Sequence, residues 1–300
     1  MFALRKGLFY VLLAAFGYSL FPVLTRSIYA ASEMRPTDVG VWRFILAVPL
    51  IWALVLLRER GHAPLRQSRR LQIFGLGVLY AMSALAAFIG LELINASLYI
   101  VLFYTYPAMV ALLSLLGGKR LAWNAWVALG FTLLGVFLTV PDFSALAGEP
   151  LGVAMAFFNA FTVALYFLAS ARVLRGSPSM ARSTAWVMSS TLLTVLIIPP
   201  IWGLRMPDTA QAWLLLALLA IVSTTLPIFA LNAGIQALGA AQASIVATLE
   251  PVMSIIFAMI FLGEQVFLIQ WLGAMCIVSA VLLLEVPGAL RRQRLAASTR

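Results

Sequence analysis

Ten stretches of roughly twenty mostly apolar residues divide this chain, and they leave it little choice of fold. A backbone surrounded by lipid must satisfy its own hydrogen bonds, so only helices and closed barrels span a bilayer. A barrel strand shows about ten residues of alternating polarity, whereas a spanning helix needs about twenty apolar ones. The stretches lie at roughly 8–28, 37–57, 71–92, 96–116, 123–140, 150–171, 183–203, 211–234, 240–262 and 267–286. Only 10% of the residues are charged, 63% are hydrophobic and the mean hydropathy is +1.04, against roughly 25% charged in soluble domains. The expected fold is all-α, a polytopic membrane protein of ten transmembrane helices. Arg5-Lys6 before an apolar run is signal-peptide-like, but the run is long and further spans follow, so an uncleaved first helix is expected.

The charges give the orientation. With a cytoplasmic N-terminus, the inside segments hold sixteen Lys and Arg residues, and the outside segments hold only Arg26, Arg35 and Arg205. Basic residues mark the cytoplasmic side, so both termini are expected there, in a bacterial inner membrane. The net charge of +10 sits in loops and near the C-terminus. It forms no aromatic-interleaved stripe of the kind that binds nucleic acid, which is not an expected partner.

One Pro-marked span occurs twice, 144 residues apart. Ala96-Ser97, Tyr106-Pro107-Ala108-Met109 and Lys119-Arg120 fall opposite Ala240-Ala241, Glu250-Pro251-Val252-Met253 and Glu264-Gln265. More faintly, Trp42 falls opposite Trp186 and Tyr80 opposite Thr224. One copy ends basic and the other acidic, which places their ends on opposite sides of the membrane. Five spans per half also force the second half to enter from the far side. The expected organisation is a first repeat over 1–140, an extracytoplasmic linker over 141–149, a second repeat over 150–286 and a basic cytoplasmic tail over 287–300. Inverted repeats with interrupted helices mark secondary transporters.

These residues resemble the drug/metabolite transporter superfamily, EamA type. The resemblance covers nearly the whole chain. It is carried by the two five-helix halves, Glu250-Pro251, Gly263-Glu264 and Gln270-Trp271-Leu272-Gly273. The first half departs from the pattern, with Tyr106-Pro107 and Lys119-Arg120 at the corresponding positions, as inverted topology demands. The resemblance implies a ten-helix carrier with a central cavity, often an exporter of amino acids or related metabolites. It does not specify the substrate.

Glu250 is the one carboxylate well inside a span. Charge there is costly, so it should face protein or water and carry function, binding a proton or a substrate amine. A protonated Glu could equally cap the carbonyl that Pro251 leaves free. Arg43, near the outer end of the second span, could bind a substrate carboxylate, but the short distance to the interface favours an outward, snorkelling course. Tyr80, Ser83, Tyr99, Phe103, Asn159, Thr162, Tyr166 and Thr224 complete the candidate substrate-binding set, because lipid does not reward their polar or aromatic groups. Tyr99 also suits an interfacial belt, and the rest could be interhelical contacts. Pro22, Pro107, Pro227 and Pro251 are candidate hinges, since each removes a backbone hydrogen bond, though proline is common in membrane helices.

The expected substrate site lies between spans one, three, four, six, eight and nine. The chemistry fits export of small neutral or aromatic amino acids or related metabolites by alternating access, with a monomer as the default. A proton-coupled efflux carrier for hydrophobic cations is the alternative. An intramembrane enzyme is disfavoured, because Cys276 and His62 are the single residues of their kinds and no catalytic triad or metal cluster can be assembled. No metal or cofactor is expected.

Overall fold

A computed structural model describes residues 2–58, 67–94, 96–118, 122–139, 149–263 and 265–297. Lys119-Arg120, Glu264, His62 and nearly all of the 141–149 linker lie outside them. The described residues form helices throughout, and apolar helices occupy all ten expected places. Eight are long and apolar enough to cross a membrane; Trp123–Thr139 and Leu268–Leu283 are shorter apolar helices. Large apolar side chains face outward, with Leu116 84% and Trp123 80% exposed. Such a surface would associate or aggregate in water and suits lipid. The chain is a multi-pass membrane protein.

The helices run α1 (Phe2–Ser19), α2 (Phe21–Ala31), α3 (Pro36–Arg58), α4 (Gln67–Leu93), α5 (Ala96–Phe103), α6 (Tyr106–Leu116) and α7 (Trp123–Thr139). They continue with α8 (Pro150–Val173), α9 (Met180–Val195), α10 (Ile198–Trp202), α11 (Ala210–Ala220), α12 (Leu226–Leu238), α13 (Ala240–Ala247), α14 (Leu249–Leu262) and α15 (Leu268–Ala297). Local chemistry sets several starts. Pro36 and Pro150 open α3 and α8, where a missing N–H costs nothing. Ser179 and Thr209 cap α9 and α11 by accepting from Arg182 N and Ala212 N at 3.0 and 3.1 Å. The last helix differs from expectation: it continues past 286 to Ala297. The Ala, Leu and Arg residues after Gly288 are strong helix formers, and the helix continues through Pro287-Gly288 into the expected tail.

Interrupted spans follow the prolines. The first span breaks at Leu20, just before Pro22, and the fourth at Tyr104-Thr105, just before Pro107. The ninth breaks at Thr248, three residues before Pro251. In the eighth, a π-turn over Ile221–Thr225 precedes Pro227. Thr224 and Thr225 hydroxyls there donate to carbonyls five residues back, Leu219 O and Ala220 O, at 3.0 and 2.7 Å.

Packing joins the two halves of the chain. Helix α1 lies along α12 and touches α14; α4 packs on α8 and α9; α3 packs on α9 and the π-turn; α6 meets α8 and α13. The two shorter apolar helices, α7 and α15, pair along their length. Gly135 and Gly273 allow that pair to approach closely: a Cβ on Gly135 would stand 2.7 Å from Gly273 O. Gln270 Nε2 donates to Thr139 O across the same seam at 3.1 Å.

One rim of the bundle is tied by polar contacts. Asp38 accepts from Arg35 Nε and Nη2, both at 2.9 Å, and from Arg205 N at 3.2 Å. Arg205 Nη1 reaches Glu33 O, Arg35 Nη2 reaches Gly203 O, and Trp42 Nε1 donates to Arg205 O at 2.9 Å. At the other rim, Arg69 donates to Gly176 O and Arg175 O at 3.1 and 3.2 Å.

Candidate functional site

Between the two halves lies a cavity of about 240 Å³. Its walls come from α1 (Tyr18), α2 (Phe21), α3 (Arg43), α4 (Tyr80, Ser83), α5 (Phe103), α6 (Tyr106), α8 (Tyr166, Phe167), α12 (Leu231), α13 (Ala247) and α14 (Glu250), with alanines between. These are the spans expected to surround the site, with the second span added through Arg43.

Aromatic rings form most of the wall. Tyr80 meets Tyr166 edge-on at 5.6 Å, Phe103 lies 5.4 Å from Tyr106, and Tyr106 lies 5.6 Å from Phe167. The tyrosine hydroxyls are held by neighbours, that of Tyr166 from behind the wall. Tyr166 donates to Asn232 Oδ1 at 2.8 Å; Ser170 shares that acceptor at 3.0 Å, and Asn232 Nδ2 donates to Thr184 Oγ1 at 3.3 Å. Tyr18 and Tyr80 hydroxyls stand 3.4 Å apart. Such a network orients rings that would otherwise turn freely.

Glu250 enters the cavity because the ninth span breaks beneath it. Thr248 N bonds Ile245 O at 3.2 Å, tightening the turn, and α14 restarts with Glu250 in its first turn. A carboxylate there sits favourably at a helix N-terminus. Tyr104, from the break in the fourth span, is a neighbour of the Glu250 side chain. Tyr106 donates instead to Ser244 O at 3.4 Å, against the tightened turn. The two broken spans thus meet, and each break exposes a polar group to the other.

Of the nine candidate binding residues, Tyr80, Ser83, Phe103, Tyr166 and Glu250 line the cavity. Asn159 and Tyr99 stand behind the wall: Ser83 Oγ donates to Asn159 Oδ1, and Asn159 Nδ2 donates to the Tyr99 hydroxyl. Tyr99 is buried rather than interfacial and stacks on Phe103. Thr162 turns back to Phe158 O and Asn159 O, and Thr224 to Leu219 O, so neither reaches the cavity. All four candidate hinge prolines sit just after helix interruptions.

Arg43 departs from the outward course expected of it. It is only 9% exposed and faces the cavity. Its guanidinium lies over the Phe44 and Phe21 rings, 4.7 and 5.3 Å from their centroids. Helix α3 packs on α9 through Phe44, Ala47 and Ile51, and Arg43 stands beside Phe44 toward the cavity. Tyr18, Phe21, Tyr106 and Phe167 also line the cavity outside the candidate set. The repeat carried a signal for Tyr106, which stands opposite Glu250; the other three have no mark in the sequence beyond being aromatic.

Known proteins share this architecture. A solved crystal structure, 18% identical, superposes with a TM-score of 0.81 over 97% of this chain and 99% of its own. An uncharacterized transporter, sll1319, of Synechocystis sp. is 26% identical over 93% of both chains. The uncharacterized inner membrane transporter YicL of Salmonella typhimurium is 25% identical over 97% of this chain and 99% of its own. The profile of the EamA-like transporter family matches twice, over residues 5–140 and 150–286. Since these two matches cover nearly the whole length, this membrane protein belongs to the EamA-like transporter family.

Proposed function

We propose that this chain is a secondary transporter of a bacterial inner membrane. Its proposed cargo is small neutral or aromatic amino acids, or related metabolites, exported by alternating access. The observation that carries the reading is the cavity: it lies between spans from both halves, is walled by oriented aromatic rings and carries the Glu250 carboxylate. Its volume of about 240 Å³ is below the roughly 300–1,000 Å³ of drug-sized sites, which favours a small metabolite over a bulky cation. Among the described residues, the wall carries aromatic and charged binding groups and no nucleophile beside a base, which favours carriage over catalysis.

The inverted-repeat reading draws support from the packing. If spans one to five correspond to six to ten, each contact between spans should have a counterpart with the halves exchanged. The first span packs on the eighth, and the sixth on the third; the third packs on the seventh, and the eighth on the second; the fourth packs on the sixth, and the ninth on the first. The second–seventh, fourth–ninth and fifth–tenth pairs are their own counterparts, whereas lesser contacts of the sixth span with the eighth and ninth, and of the ninth with the fifth and tenth, have no counterpart of similar extent. The repeats over 1–140 and 150–286 agree with the two stretches matched by the family profile, and the sixteen-to-three division of basic residues supports cytoplasmic termini. Exchange of shape between two such halves is the usual basis of alternating access.

Glu250 is the proposed coupling residue, holding a proton or the substrate amine, with Tyr104, Tyr106 and Tyr18 as its ionisable neighbours. The test is uptake of labelled amino acids into liposomes holding the purified protein, wild type against Glu250→Gln, with and without a pH gradient. Accumulation driven by the gradient only when Glu250 is intact is the expected result. Equal downhill flux in both proteins would remove the coupling role, and no amino-acid uptake would remove the substrate class.

A further inference from the structure

Among the described residues, Arg43 has no ion-pair partner within 4 Å. It sits eight residues into α3, about 10 Å below the helix start. It is 9% exposed, and its Nε is buried with no hydrogen-bond partner. The nearest acid on its own helix, Asp38, is already occupied by Arg35 and by Arg205 N. The other acid of the cavity, Glu250, belongs to α14 and forms no ion pair with Arg43 within 4 Å. What holds the guanidinium is two aromatic rings, Phe21 and Phe44. Rings stabilise a cation through their faces, and they leave Nε without a hydrogen-bond partner.

A buried charge with an unfilled donor is expensive, and an intramembrane ionisable group facing a cavity is a functional site by default. The planar guanidinium matches a carboxylate with two parallel hydrogen bonds. We propose that Arg43 is the anion subsite of the cavity and binds the carboxylate of the transported molecule. Arg43 and Glu250 then present opposite charges to one small space walled by aromatic rings. That arrangement selects a zwitterion, an amino acid, over an amine of the same shape. The proposal rests on the amino-acid reading above and adds the residue that enforces it.

Three probes with one ring and different charges test it: phenylalanine, 3-phenylpropionate, which lacks the amine, and phenethylamine, which lacks the carboxylate. Uptake of labelled phenylalanine into liposomes is competed with the other two, in wild type, Arg43→Gln and Arg43→Lys. Phenylpropionate is expected to compete in wild type. Arg43→Gln is expected to weaken phenylalanine and phenylpropionate about ten-fold or more, the scale of a lost charge-assisted bond, and to leave phenethylamine within about two-fold. Arg43→Lys, which keeps the charge without the planar edge, should fall between. Phenylalanine transport with no change in Arg43→Gln overturns the subsite and leaves the carrier reading standing. An equal loss for all three probes in a folded variant also overturns it, making Arg43 structural. If the variants fail to fold, failure of phenylpropionate to compete in wild type overturns it without them. If wild type moves none of the three, the amino-acid reading falls and takes the subsite with it.

Discussion

Asn232 shows how single polar residues serve this protein. Its side chain is fully buried and bonds Tyr166, Ser170 and Thr184, so one amide on α12 fixes a cavity ring on α8. Asn232→Leu leaves three hydroxyls to find other partners. Ser170 and Thr184 can turn back to helix carbonyls, but Tyr166 cannot. We expect a loss of about 1–3 kcal/mol, read as a lowered thermal-unfolding midpoint of the detergent-solubilised protein, with weaker substrate binding because Tyr166 loses its orientation. At this scale the sequence was only partly legible. Polar and aromatic groups that lipid does not reward mark an inward face, and that located Tyr80, Ser83 and Tyr166. The same criterion does not separate a cavity wall from a helix–helix seam, which is where Asn159 and Tyr99 lie. Nor does it reveal a threonine bonded to its own helix, as Thr162 and Thr224 are. Distance to the interface pointed Arg43 outward, because a linear sequence does not say which face of α3 meets α9.

Helix interruptions were the most legible features among the elements. Proline removes a donor and crowds the preceding turn, and each of the four candidate prolines follows a break. The π-turn before Pro227 had no separate signal, since it depends on one extra residue being absorbed beside α1. Gly17 permits that approach: a Cβ there would stand 2.5 Å from Pro227 Cγ and 2.6 Å from Val222 O. If the break in the ninth span bends during transport, closing it should slow turnover. Pro251→Ala restores a backbone donor next to Glu250 without touching the cavity lining. The expected outcome is transport several-fold slower at saturating substrate, with the substrate concentration for half-maximal rate changed by less than about two-fold and thermal stability unchanged or raised. Equal slowing of Pro251→Ala and Glu250→Gln only under a pH gradient would instead place the effect on the carboxylate.

Across the whole molecule, the ten-helix plan was legible because lipid imposes one length and one polarity on every span. The end of the last helix was not, because strong helix formers follow Gly288 and the helix continues through Pro287-Gly288. The tied rim gives a prediction at this scale. Asp38 gathers Arg35 and Arg205 N and so joins the start of α3 to the segment before α11. In the proposed topology this rim faces outward, and releasing it should favour opening of the cavity to that side. In a Cys276→Ser background carrying Ser83→Cys, adding Asp38→Asn should speed labelling by an impermeant maleimide applied from outside, about five-fold or more; Arg69→Gln, at the opposite rim, should not.

The exchanged packing of the halves also governs how the molecule comes into being. The principal neighbour of the first span is the eighth, and of the third span the sixth, so the early spans enter the bilayer well before their partners exist. At ribosomal speeds of about 5–20 residues per second, the 86 residues from Tyr80 to Tyr166 correspond to a wait of roughly 4–17 s. During that interval Tyr80 and Ser83 face lipid or transient neighbours rather than Tyr166 and Asn159. The first half therefore matures as a set of inserted but unpaired helices, and the emergence of the sixth to eighth spans is the event that turns insertion into folding.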